Sequence, residues 1–204
     1  MPAETDNEMQ YFMAYETYTT EALVCGTRDR NTADRSFLLF TREAGMLFAD
    51  ARSVREERSR QRYALQDFTY LRVSLVKGKA GWRIGSIEPL RNFYHEADSK
   101  EARGSVVSLV RLLRRFVHGE EAQPQFFDEV ITSLESLLGK LSKRTFVEQV
   151  VQVRLLGQLG YVDMTYIPES LRVASVVEIP DLYAKSFETG IAKLYAHAVK
   201  ASHL

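Results

Sequence analysis

The sequence predicts an α+β chain in two parts. A five-stranded β-barrel spans residues 19–90 and an all-α region spans 91–204, with an acidic lead-in over 1–18. Three observations carry this. Residues 19–90 hold five short apolar runs rich in β-branched and aromatic residues, separated by turn signals. No helical periodicity appears before residue 99, so crossover helices for a parallel sheet are lacking, and short antiparallel strands favour closure into a barrel. Beyond residue 99 the apolar period becomes that of a helix.

The strands are expected near 20–28, 36–42, 46–54, 66–76 and 82–88. Gly45 supplies the positive φ of a tight reversal between the second and third. The turn Lys77-Gly-Lys-Ala-Gly81 pairs the fourth with the fifth, and Gly85 marks a bulge where a small barrel must bend. Residues 90–95 read as a linker with aromatic anchors. Asp98 and Glu101 form a capping-box signature, after which Val106, Leu109, Val110, Leu113, Phe116 and Val117 share one helical face. Gln123-Pro124 opens a second helix whose outer face is acidic (Asp128, Glu129, Glu135), a face expected to point away from nucleic acid. A third helix, near 143–159, is apolar almost all round and reads as central. Pro168 and Pro180 punctuate the stretch before a last helix over 181–202.

Charge is balanced overall, 27 basic against 27 acidic residues, so its distribution decides what it can do. Residues 1–18 hold four acids and no base, whereas 19–90 hold 13 basic and 9 acidic side chains, a net of +4. Arg52, Arg55, Arg58, Arg60 and Arg62 cluster in a segment with almost nothing apolar to bury, which places them at the barrel rim. All five are arginines, whose guanidinium groups match phosphate oxygens in bidentate geometry. The alternative is a solvated loop or short helix with internal ion pairs to Glu56 and Glu57. Lys77, Lys79 and Arg83 extend the candidate surface, as does Arg35 in the loop 29–35. Arg111, Arg114 and Arg115 either continue it or form a wetted helix face. Tyr11, Phe12, Tyr15 and Tyr18 either pack on the barrel or stack bases.

Several fragments in order resemble a known family. They are Thr20-Glu-Ala-Leu-Val24, Asp34-Arg35, Leu39-Phe-Thr-Arg-Glu-Ala-Gly45, Ala64-Leu-Gln-Asp-Phe68 and Leu155-Leu-Gly-Gln-Leu-Gly-Tyr161. Together they look like the bacterial RecO recombination mediators. That resemblance implies an OB-type barrel, binding of single- and double-stranded DNA, strand annealing, and cooperation with RecR. It also implies contact with the C-terminal tail of single-strand-binding protein ahead of recombinase loading, in a nucleoid-associated, cytoplasmic setting. Many RecO-like proteins carry zinc-binding cysteines after the last fragment. Here the chain continues as Val162-Asp-Met-Thr-Tyr-Ile-Pro168, with no cysteine, so no zinc is expected; the region beyond also looks shorter than the family's.

Catalytic signatures are absent: no phosphate-binding glycine loop, no paired-histidine metal motif, no nucleophile elbow, and four scattered histidines. Neither an enzyme nor a cofactor is expected. Cys25, the sole cysteine, lies in an apolar strand and reads as a buried, inert thiol. No apolar run reaches about 18 residues, so a soluble protein without membrane contact is expected. The competing reading is a protein-interaction adaptor of a repair complex with weak intrinsic DNA binding.

Overall fold

The computed structural model describes residues 17–30, 32–56, 59 and 61–202. Five strands, β1 (Thr17–Asp29), β2 (Arg35–Thr41), β3 (Gly45–Ala51), β4 (Thr69–Gly78) and β5 (Gly81–Asn92), close into a barrel in the order β1-β2-β3-β5-β4. Every pairing is antiparallel except a short parallel contact of β3 with β5, Ala49 opposite Trp82 and Asp50 opposite Arg83. The register of β4 with β5 shifts twice, one shift falling between Val73 and Leu75, beside the kink expected at Gly85. The fifth strand runs to Asn92, through half of the stretch expected to be a linker.

The barrel interior is filled by one parity of each strand: Ala22 and Val24, Phe37 and Leu39, Leu47, Ala49 and Ala51, Leu71, Val73 and Leu75. A one-turn helix, α1 (Gln61–Ala64), follows the arginine segment, and Gln61 Nε2 donates to the Gly85 carbonyl at 3.1 Å. Val54, inside this segment, and Leu65, just after α1, are buried with the barrel interior. The segment expected to bury almost nothing is therefore fastened near its start by Val54 and followed by Leu65.

Part of the opposite parity of β1, β2 and β3 is also apolar. Leu23, Cys25, Phe40 and Met46 leave the barrel and join the helical core. Strands covered on both faces lose the alternation of a half-exposed strand, which is why residues 36–41 read as one compact run. Burial pushes the Cys25 thiol up to about 12. A thiol reagent at pH 8 should leave Cys25 unmodified in the native protein and titrate one thiol after denaturation.

After β5 come α2 (Phe93–Glu96), α3 (Lys100–Phe116), α4 (Pro124–Ser136), α5 (Arg144–Gln158), α6 (Glu169–Val173) and α7 (Lys185–Ala201). The cap of α3 is Ser99, whose Oγ accepts from the Ala102 N–H at 3.1 Å, one residue past the Asp98 that the sequence favoured. The central helix α5 is buried as expected, and its one buried polar side chain, Gln152, donates to Ser108 Oγ at 2.7 Å. Phe127 of α4 joins the two halves, its ring 5.2 Å from Phe40 and 6.2 Å from Tyr70 of the barrel.

The acidic face of α4 also turns toward the barrel. Arg42 Nε and Nη2 donate to the two carboxylate oxygens of Asp128, each at 2.9 Å, and Arg91 Nη1 donates to Glu135 at 2.7 Å. Both arginines are thereby committed to holding the halves together. Gly45 is required twice: its φ is +63°, and a Cβ there would lie 2.5 Å from the Glu121 carbonyl. The loop after α3 lies against this hairpin, with the Met46 N–H donating to the Gly119 carbonyl at 2.9 Å.

Candidate nucleic-acid interface

β3 carries its outward side chains at Met46, Phe48 and Asp50. Met46 is covered by the loop after α3, but Phe48 is left 47% exposed. Register places Phe48 beside Leu38 of β2, and Leu38 beside Gly26 of β1. The guanidinium of Arg114, reaching across from α3, lies over Gly26: a Cβ built there would meet it at 3.5 Å. The next row contains Arg28, Ser36, Asp50 and Arg83. Arg28 holds its guanidinium 4.7 Å from the Phe48 ring centre.

Arg28, Leu38, Phe48, Asp50 and Arg114 line a groove of about 690 Å³, bounded on one side by Trp82, His118 and Glu120. Arg30 pairs with Asp50 along its edge. Lys77 stands 4.8 Å from the Trp82 ring centre and donates to Glu120 at 3.0 Å. That bond is the chief reason the Glu120 carboxyl lies below its usual range. The Trp82 indole N–H is buried and reaches no acceptor in hydrogen-bond geometry, although the Glu120 carboxylate is near enough to feel it. Asp50 also borders a second depression that holds Arg52 and Arg83, so cationic side chains continue past it.

A separate groove of about 580 Å³ lies between α3 and α7. Lys100, Arg103, Arg111 and Arg115 surround an apolar floor that includes Leu112 and Phe116. Among the described residues no acid lines it. Arg115 is fixed by donating to the Val199 carbonyl at 2.7 Å and to Ser202 Oγ at 2.9 Å. Arg111 and Arg114 sit on successive turns of α3, so this groove and the barrel groove meet along one helix.

Residues 13–93 match the family described as "Recombination protein O N terminal". Three curated proteins named DNA repair protein RecO are also similar. The one from Desulfitobacterium hafniense is 30% identical over 144 residues, 71% of this chain and 52% of its own length. Those from Myxococcus xanthus (31% over 130 residues, 63% and 52%) and Dehalococcoides mccartyi (26% over 144 residues, 71% and 56%) align similarly. The chain belongs to the RecO family. It spans about half the length of the curated RecO relatives it matches.

The arginines and lysines singled out in this RecO-type sequence divide among several surfaces. Arg114 lines the barrel groove, with Lys77 beside it and Lys79 in the same hairpin. Arg111 and Arg115 line the α3–α7 groove. Arg52 and Arg83 share one depression, Arg35 and Arg62 another. Arg35 bonds to Asp29 at 2.8 Å, and Arg55 lies 3.7 Å from the same carboxylate. Arg58 and Arg60 lie outside the described residues, as do Tyr11, Phe12 and Tyr15. Tyr18, in β1, meets Trp82 edge-on at 5.7 Å. Among the described residues Arg28, Arg52, Arg62, Lys79, Arg111 and Arg114 make no ion pair.

Arg28, Arg30, Phe48, Lys100 and Arg103 belong to these surfaces without having been expected there from the sequence. The helical residues were findable, because Lys100, Arg103, Arg111 and Arg115 recur at spacings that share one face. Phe48 was hidden inside a strand whose other apolar members are buried. Among the described residues no group of three His, Cys, Asp or Glu side chains is placed to hold a metal, and no helix is long and apolar enough to cross a membrane.

Proposed function

We propose that the chain is a DNA-binding recombination and repair mediator of the RecO type, built on an OB-type barrel. It holds single- and double-stranded DNA, anneals complementary strands, and helps load recombinase with RecR and single-strand-binding protein. One observation carries the reading: cations without acidic partners, Arg28 and Arg114, line a groove beside an exposed aromatic, and the cationic edge continues to Arg52 and Arg83. Such a surface needs no catalytic group. It neutralises phosphates and so lowers the repulsion between two strands brought to one protein. Zero net charge does not oppose this, because many acids are spent inside the molecule, as Asp128 and Glu135 are on Arg42 and Arg91. The test is a titration of labelled single-stranded DNA at several salt concentrations. Log affinity should fall linearly with log salt, by about 0.7 per phosphate contact. Salt-independent or undetectable binding would leave the adaptor reading in its place.

The α3–α7 groove favours a second role for the same chain. Four cations around an apolar floor suit an acidic peptide ending in an aromatic residue, the chemistry expected of a single-strand-binding protein tail. Arg103, over the Tyr94 ring at 5.9 Å, stands at its edge, away from the barrel groove. Arg103→Glu should weaken a labelled tail peptide at least tenfold in fluorescence anisotropy, as expected for reversing a charge against an acidic ligand. Single-strand affinity should change less than threefold.

A further inference from the structure

We propose that Phe48 is a base-stacking platform that makes the barrel groove prefer single strands to duplex. This rests on the DNA-binding reading above and goes beyond it, since phosphate contacts alone carry no such preference. Of the outward side chains of β3, Phe48 is met only by the exposed guanidinium of Arg28, whereas Met46 lies under the loop after α3 and Asp50 is engaged by Arg30. An aromatic left 47% exposed at a strand centre, beside an open groove, presents a π-face to whatever enters.

The neighbourhood suits a nucleotide. Gly26, Leu38 and Phe48 form one row across three strands, neighbouring strands being about 5 Å apart along the hydrogen-bonding direction. Gly26 keeps the floor low at the end where Arg114 waits. The row beside it supplies Arg28, whose guanidinium already lies against the Phe48 ring. That contact is exposed and weakly held, so a base can enter between ring and guanidinium or displace the latter toward a phosphate. An unpaired base offers its face to the ring, whereas in a duplex the faces are stacked on neighbouring bases and unavailable.

The experiment compares Phe48→Ala, Phe48→Tyr and wild type for a labelled single strand and for a duplex of the same sequence, each at several salt concentrations. Phe48→Ala should lose about 5- to 150-fold in single-strand affinity, the loss typical of one stacked base. Its salt slope and its duplex affinity should match wild type, because no phosphate contact is removed. Phe48→Tyr should restore single-strand binding. A strand carrying 2-aminopurine should be quenched by wild type and by Phe48→Tyr but not by Phe48→Ala. Phe48 lies outside both buried clusters, so the variants are expected to fold, and circular dichroism checks this. If Phe48→Ala binds single strands as wild type does, the stacking role is wrong while the phosphate surface stands. If Phe48→Ala loses single-strand and duplex binding equally, the preference for single strands is wrong. If wild type itself shows no salt-sensitive binding, both readings fall together.

Discussion

Replacing Arg28, Lys79 and Arg114 together with alanine should weaken single-strand binding about 100-fold at 0.1 M salt and lower the salt slope by about 2. The arithmetic is that of counterion release. Each lost phosphate contact on a single strand removes about 0.7 from the slope, which at 0.1 M salt is about fivefold in affinity, and three contacts multiply. The three side chains are exposed, and among the described residues none makes an ion pair, so their charge is available to a ligand and the fold does not lean on it. The structure supplies a matched control. Arg42 is equally cationic, but its guanidinium is bonded bidentately to Asp128 and also reaches Glu43. Arg42→Ala should leave the slope within about 0.3 of wild type, less than half the value of one contact. Equal slopes for the triple variant and wild type would remove the barrel groove from the binding surface.

Phe127→Ala should cost about 3–5 kcal/mol, which in a chain of this size lowers Tm by roughly 6–20 °C. Phe127 is fully buried and touches Phe40 and Tyr70 of the barrel from α4. The cluster it belongs to runs without interruption from Leu23, Cys25, Phe40 and Met46 into α3, α4 and α5. Barrel and helices are therefore coupled through one core, and both should unfold together. Trp82, the only tryptophan, reports on the barrel, while far-ultraviolet circular dichroism reports chiefly on the helices. The two signals should give coincident denaturation curves in wild type and in Phe127→Ala. A variant in which only one signal shifts would make the halves energetically separate.

The fold was legible because its signals are local. Gly45 must reverse the chain, the 77–81 turn must join two strands, and the stripes of α3, α4 and α5 repeat at helical spacing. What escaped were choices between neighbours of equal local merit. Asp98 and Ser99 both make good caps, and the position of the chain relative to α3 selects Ser99. The 52–62 arginines read as one cluster, yet tertiary contacts divide them: Arg55 leans on Asp29, while Arg52 turns to the depression beside Arg83. The groove itself joins β1, β2, β3, the β4–β5 hairpin and α3, and no local pattern encodes such a juxtaposition. Arg114 shows this most clearly, since its place over Gly26 depends on how α3 packs against the barrel.

Photo-crosslinking tests most directly where a strand lies. Single-stranded DNA carrying 5-iodouracil would be bound at low salt, irradiated, and the adducts mapped by mass spectrometry. Adducts should fall on peptides containing Phe48, Trp82 and His118, the aromatic groups lining the barrel groove. Adducts confined to α5, α6 or the far end of α7, with none on β3 or the loop after α3, would contradict the account.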